Sequence, residues 1–125
     1  MARILIVEDD KILQTIFKSL LTKAGYQVDA ASDGQEGLSK AEAHEPDLII
    51  LDMQMPNMDG IDFLRAYDIV DTHPTVKVIA FSNTEQPQQV KDAIALGALG
   101  YMTKSQYSPR AMIQLIQDAL ALDKV

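Results

Sequence analysis

Short apolar runs alternate with longer amphipathic segments along the whole chain. The first and third runs are continuous and rich in Ile and Leu, which is typical of strands buried on both faces of a sheet. We therefore predict five strands, one at each run. The runs are Ile4–Val7, Val28–Ala31, Leu48–Leu51, Val76–Phe81 and Tyr101–Met102.

The segments between the runs have the spacing of amphipathic helices. Asp10–Ala24 and Ser108–Leu122 each place apolar residues on one face, and Gly25 should end the first of these helices. Pro87 fits the first turn of a helix that runs to about Leu96. A strand–helix alternation repeated five times predicts an α/β fold, with a parallel sheet covered by helices on both faces.

Polar side chains with chemical potential follow four of the predicted strands. In open α/β sheets, ligands bind beyond the carboxyl ends of the strands, so these side chains should converge on one edge. They are Glu8, Asp9 and Asp10 after the first strand, Asp52 after the third, Ser82, Asn83 and Thr84 after the fourth, and Lys104 after the fifth.

Three carboxylates at one edge would repel each other unless a cation lies between them. Glu8, Asp9 and Asp52 form such a set, and Mg²⁺ suits it because this ion favours a few carboxylates together with water and phosphate oxygens. Glu8 and Asp9 could instead be solvated loop acids. We assign Asp10 to the cap of the first helix.

Asp52 is the candidate nucleophile, because a carboxylate at the end of a central strand can attack phosphorus and form an aspartyl phosphate. Such a transfer needs in-line positioning and charge neutralisation. Lys104 can supply a positive charge and Ser82 a hydroxyl donor. Taken alone, Lys104 could be a solvated surface lysine and Ser82 a turn residue.

Four motifs in this order resemble the CheY-like receiver family of two-component signalling. The resemblance covers essentially the whole chain and implies a flavodoxin-like doubly wound fold of five βα units, with strand order 2-1-3-4-5. The chain has no linker, and the last predicted helix ends at its end, so we expect residues 1–125 to form a single receiver domain with no output domain. The motifs are Ile4–Asp10, Leu51–Gly60, Ser82 and Gly100–Lys104.

The resemblance implies a role for each residue around the phosphoryl group. Asp52 would be the phosphoacceptor. Asp9 would bind Mg²⁺ directly, Glu8 mainly through a metal-bound water, and Gln54 through its backbone carbonyl. Lys104 would pair with the phosphoryl group.

The resemblance also implies a switch pair and a set of residues that modulate the lifetime of the phosphorylated state. Ser82 and Tyr101 would be the switch pair, although an aromatic residue in a short strand is often only a core residue. Gln54, Asn83 and Thr84 would modulate the lifetime.

Two positions depart from the family pattern. Asn83 follows Ser82, where the residue is usually small and often alanine. Ser105 stands where a proline with a cis peptide bond usually follows the lysine. A cis bond before serine would cost roughly 2.5–4 kcal/mol, so we predict a trans bond at this position.

As a receiver, the protein would take its phosphoryl group from a sensor histidine kinase or a His-phosphotransfer protein. Phosphorylation would switch the surface formed by the fourth helix, fifth strand and fifth helix, for binding to an effector or in a phosphorylation-dependent homodimer. Such a domain is not an enzyme, apart from catalysing its own phosphorylation and dephosphorylation.

The composition of the chain limits the cellular compartments and the partners that we expect for it. The chain has 125 residues, and its net charge of −7 disfavours direct binding to nucleic acid. The absence of cysteine suits a cytoplasmic protein. The apolar runs are too short to span a membrane. His44 and His73 are not spaced as metal ligands and should be exposed.

Three rival functions make different demands on the same positions. A phosphatase of the haloacid-dehalogenase type needs a general acid two residues after its nucleophile, where this chain has Gln54. A flavodoxin-like cofactor binder needs phosphate-binding donors in the first loop, where Glu8, Asp9 and Asp10 would repel an anion. A non-phosphorylated pseudo-receiver that acts as a protein-interaction module stays open as the alternative.

Overall fold

Five strands alternate with five helices in the computed structural model, which describes residues 2–83, 86–104 and 108–121. Each of the five predicted strands is present, with ends that differ by no more than one residue, and a helix follows each strand. The elements are β1 Arg3–Val7, α1 Lys11–Lys23, β2 Gln27–Ala31, α2 Gly34–Ala43, β3 Leu48–Asp52, α3 Gly60–Tyr67, β4 Lys77–Ser82, α4 Pro87–Ala95, β5 Gly100–Thr103 and α5 Pro109–Ala121.

The strands form one parallel sheet in the order β2-β1-β3-β4-β5, as expected for the flavodoxin-like arrangement. Helices α1 and α5 pack on one face, where Phe17 and Ile116 lie in the core. Helices α2, α3 and α4 cover the other face, where Phe63 and Ala93 are buried. No helix in the described part of the chain is long and apolar enough to cross a bilayer.

The interior positions of the central strands are apolar because both faces of the sheet are covered by helices. Ile4 and Ile6 face α1 and α5, whereas Leu5 and Val7 face the opposite layer. All four are almost completely buried, and burial of such a side chain stabilises the fold by about 1.5–3 kcal/mol. The same alternation directs side chains at the strand ends, so Glu8 continues the Ile4–Ile6 row.

The residues predicted to begin or end helices do so in the structure. The carboxylate of Asp10 accepts hydrogen bonds from the backbone N–H groups of Ile12 and Leu13, at 2.9 and 3.2 Å, and so caps α1. Gly25 follows the helix with φ of 101°, a conformation that favours glycine. Pro87 is the first residue of α4.

Asp52 and Ser82 belong to their strands instead of following them. Asp52 pairs in register with Phe81, and Ser82 pairs with Thr103, so the parallel ladder extends one residue beyond each apolar run. The reason is that a backbone ladder requires no apolar side chain. Both residues are therefore held by rigid strands.

His44 is exposed as expected, but the expectation for His73 is wrong. The imidazole of His73 stacks on Tyr67 with 3.9 Å between ring centroids, and its Nδ1 lies 2.7 Å from Oε2 of Glu45. Burial, with smaller contributions from Glu45 and Glu42, raises the pKa of Tyr67 to about 12. The phenol therefore stays neutral.

Candidate functional site

The predicted acidic cluster exists at the carboxyl ends of β1 and β3. One carboxylate oxygen from each of Glu8, Asp9 and Asp52 lies within 4.8 Å of the other two. Glu8 and Asp52 are almost completely buried, whereas Asp9 is exposed. The reading of Glu8 as a solvated loop acid is therefore wrong, because its side chain has no contact with solvent.

Glu8 is held by its own loop. Its N–H donates to the carbonyl oxygen of Ala31 at 3.0 Å, and its Oε2 accepts from the N–H of Asp10 at 2.9 Å. The side-chain amide of Gln14 donates to the carbonyl oxygens of Glu8 and Ala31, at 2.9 and 3.1 Å. Sequence reasoning missed Gln14, since nothing distinguishes it from other polar residues of α1.

Lys104 is the counter-ion of the two buried acids. Its Nζ lies 3.0 Å from Oε1 of Glu8 and 3.4 Å from Oδ2 of Asp52. Its side chain is 15% exposed, so it is not a solvated surface lysine. Its backbone N–H also donates to the carbonyl oxygen of Ser82 at 2.7 Å, which ties the end of β5 to the end of β4.

Asp52 lies in an environment that disfavours its charge. Burial is the main cause and raises its pKa from 3.8 to about 7, with a further increase from the nearby Glu8. Two contacts act in the opposite direction. The N–H of Gln54 donates to Oδ1 at 3.0 Å, and the ammonium of Lys104 faces Oδ2. A second cation would therefore favour the ionised form.

The donor set fits a hard divalent cation. Oε1 of Glu8 and Oδ2 of Asp52 are buried, and both face the Lys104 ammonium. Asp9 adds a carboxylate from the solvent side. If all three acids are ionised, their charge exceeds that of Lys104. Oxygen ligands of this kind, with an open side for water, suit Mg²⁺.

A hydrogen bond joins the loops that follow β3 and β4. The N–H of Asn83 donates to Oε1 of Gln54 at 3.1 Å. These are two of the residues to which we assign an effect on lifetime, and that role stays a prediction. Thr84, the third, and Ser105, with its predicted trans bond, lie outside the described residues.

The predicted switch residues occupy different environments. Ser82 is buried at the end of β4. Tyr101 is half-buried in β5, and its hydroxyl donates to Oε1 of Gln89 on α4 at 2.7 Å. Tyr101 thus packs against the core and is also hydrogen-bonded to α4. Its role as a switch stays a prediction.

Sequence comparison identifies the family of this chain. Residues 4–117 match the model of the response regulator receiver domain. The chain is 38% identical over 103 residues to the transcriptional regulatory protein PdtaR of Mycobacterium tuberculosis, which covers 82% of this chain and 49% of that protein. It is 33% identical over 115 residues to the chemotaxis protein CheY of Thermotoga maritima. That alignment covers 91% of this chain and 93% of CheY. The chain thus spans about half of PdtaR but most of CheY.

Solved structures agree with this assignment. CheY4 of Vibrio cholerae has a TM-score of 0.85 and 30% identity, covering 94% of this chain and 98% of that one. A CheY-like receiver domain from Methanospirillum hungatei has a TM-score of 0.88 and 29% identity, covering 96% and 94%. With the sheet order and the acidic edge described above, these matches show that the chain belongs to the response regulator receiver domain family of two-component signalling.

Proposed function

We propose that this protein is a phosphorylation-activated receiver in which Asp52 accepts a phosphoryl group from a phosphohistidine of a sensor kinase or phosphotransfer protein. The observation that carries the proposal is the position of the Lys104 ammonium, 3.4 Å from Oδ2 of Asp52 and 3.0 Å from Oε1 of Glu8. One cation thus faces a buried carboxylate that has an acidic, solvent-accessible neighbour in Asp9.

In the proposed reaction, a carboxylate oxygen of Asp52 attacks phosphorus while the bond from phosphorus to the donor imidazole nitrogen breaks. When the other ring nitrogen of the donor carries a proton, the products are an acyl phosphate on Asp52 and a neutral histidine on the donor. Oδ2 is the oxygen we assign to the attack, because Oδ1 accepts the Gln54 N–H. Lys104 then stays as a positive charge beside the transferred group.

Mg²⁺, when bound, would neutralise charge on the phosphoryl oxygens. We assign its ligands to Asp9, Asp52 and the carbonyl oxygen of Gln54, with Glu8 acting through a metal-bound water. Burial of Glu8 against Lys104 supports this indirect role, since Glu8 already has a cationic partner. The site also keeps Asp52 ionised at neutral pH once a second cation offsets its desolvation.

The output would be a shift in the surface formed by α4, β5 and α5. Ser82 would bond to the new phosphoryl group, and movement of the loop after β4 would reach α4 through the Tyr101–Gln89 hydrogen bond. Ile94 and Leu115 are exposed apolar residues on α4 and α5, available to an effector or a second copy. A typical coupling of about 1–3 kcal/mol is sufficient for such a population shift.

Phosphorylation by a small donor is the direct test. Wild-type protein incubated with acetyl phosphate and Mg²⁺ is expected to gain one phosphoryl group by intact mass, and to gain none when EDTA replaces Mg²⁺. Asp52→Asn should not label, while its circular dichroism spectrum stays like that of the wild type, because asparagine can keep the hydrogen bond from Gln54.

The outcomes separate the proposal from its alternative. If the wild type fails to label under conditions in which a control receiver does, the proposal is wrong. If the wild-type protein binds Mg²⁺ but is not phosphorylated, the result would favour the alternative, a non-phosphorylated pseudo-receiver that has the same fold and acts as a protein-interaction module.

Asp9→Asn is expected to weaken Mg²⁺ binding by at least about tenfold, because it removes the exposed carboxylate that we assign as a direct ligand. Isothermal titration calorimetry measures the affinity. Asp10→Ser is the matched control, since it removes a neighbouring charge but keeps a capping side chain for α1. Equal losses in the two variants would show a general charge effect and contradict the assignment.

A further inference from the structure

The ammonium of Lys104 lies near an aromatic ring as well as beside two carboxylates. Its Nζ is 5.0 Å from the centroid of the Phe81 ring, within the distance at which a cation and an aromatic face attract each other. Phe81 is completely buried, and Lys104 is mostly buried. The interaction therefore occurs where little water competes with it.

The Phe81 ring is fixed beside the acceptor. Phe81 is the register partner of Asp52 across β3 and β4, and its carbonyl oxygen accepts the N–H of Met53 at 2.9 Å. Phe17 of α1 meets the ring edge-on, with 5.7 Å between centroids and 74° between planes. Backbone and side chain of Phe81 are thus both held by the core.

Lys104 needs such a support because its other contacts depend on the state of the site. A lysine side chain is a flexible stem with a compact charge, and it has no planar group that fixes its direction. In the unmodified site, Glu8 and Asp52 hold the ammonium. Phosphorylation of Asp52 replaces one of these partners with a larger group, whereas the ring of Phe81 does not change.

We propose that Phe81 is a positioning residue for Lys104, whose ring face keeps the ammonium within reach of the group transferred to Asp52. This inference rests on the proposed function for its kinetic consequence, but not for its geometry. A buried leucine at this position would also fill the core of the α1–α5 face. Only an aromatic ring would attract the cation, through the negative charge of its face.

The geometry has a direct signature in the metal-free protein. Protons near an aromatic face are shielded, so the Lys104 Hε resonances should be shifted upfield relative to those of the exposed Lys91. This shift should persist in Phe81→Tyr and Phe63→Leu, and disappear in Phe81→Leu and Phe81→Met. Two variants without a ring face are used so that one can fail to fold without loss of the test.

The kinetic consequence is measured with acetyl phosphate at saturating Mg²⁺. Phe81→Leu and Phe81→Met are expected to label roughly three- to thirtyfold more slowly, which corresponds to the usual strength of a cation–aromatic contact. Phe81→Tyr should stay within about twofold of the wild type. Phe63→Leu is the matched control, because it removes an equally buried ring from the core on the opposite face of the sheet.

Each result decides the inference. Unshifted Lys104 resonances in the wild type, or labelling of both ringless variants at the wild-type rate, would overturn it. Slow labelling of Phe63→Leu to the same extent would also overturn it, by showing an effect of lost core packing alone. If the wild type does not label at all, the proposed function fails, and the resonance shift still decides whether the ring positions Lys104.

Discussion

Lys104→Met is expected to lower the free energy of unfolding of the metal-free protein by about 3 kcal/mol near pH 8. The variant keeps most of the apolar stem but removes the ammonium that faces Glu8 and Asp52. Two buried carboxylates then lie close together without a counter-ion. Loss of one partner from a buried ion pair is costly because the remaining charge is left desolvated.

Urea denaturation in EDTA measures this loss, and Lys91→Met provides the control. Lys91 is exposed on α4, so its replacement should change the free energy of unfolding by less than about 0.5 kcal/mol. Saturating Mg²⁺ should restore part of the stability of Lys104→Met, because a divalent cation can neutralise the same carboxylates. Equal stabilities of the two variants in EDTA would show that Lys104 does not neutralise the site.

The apolar pattern predicted the framework of the fold because the same residues fix local and tertiary structure. Ile4 and Leu5 are both apolar because β1 is covered on both faces, and this burial is what makes a central strand recognisable. Asp10 and Gly25 are recognisable for a different reason, since each meets a local requirement of the backbone at an end of α1.

The pattern could not predict the partners of the site residues. The sequence pattern assigns Lys104 to the phosphoryl group. Its partner in the unmodified protein, Glu8, depends on how β1, β3, β4 and β5 pair and on the face to which each strand end points. Phe81 reads as an ordinary core residue, and only the packed structure brings it to the ammonium. The partial burial of His73 cannot be predicted from its spacing, because it depends on how the loop after α3 folds back onto Tyr67.

Asp52→Asn is expected to have the opposite effect to Lys104→Met and to stabilise the metal-free protein above neutral pH. The pKa of Asp52 is raised from 3.8 to about 7 in the folded state. A raised carboxyl pKa means that the folded protein binds the proton more tightly than the unfolded chain does. The stability that Asp52 contributes by binding this proton is therefore fully present below about pH 4, and it is lost as the pH rises to about 7. Asparagine cannot ionise and avoids this loss.

Thermal and urea unfolding of both proteins in EDTA, from about pH 5 to pH 8, give the difference in their free energies of unfolding. We expect this difference to grow with pH in favour of Asp52→Asn and to reach about 1–3 kcal/mol. Asp71→Asn, at an exposed turn residue, controls for the removal of one acidic group. A difference that does not change with pH would mean that Asp52 is ionised throughout the range. The buried carboxylate would then be fully compensated by Lys104, and the unmodified site would have little electrostatic need for a second cation.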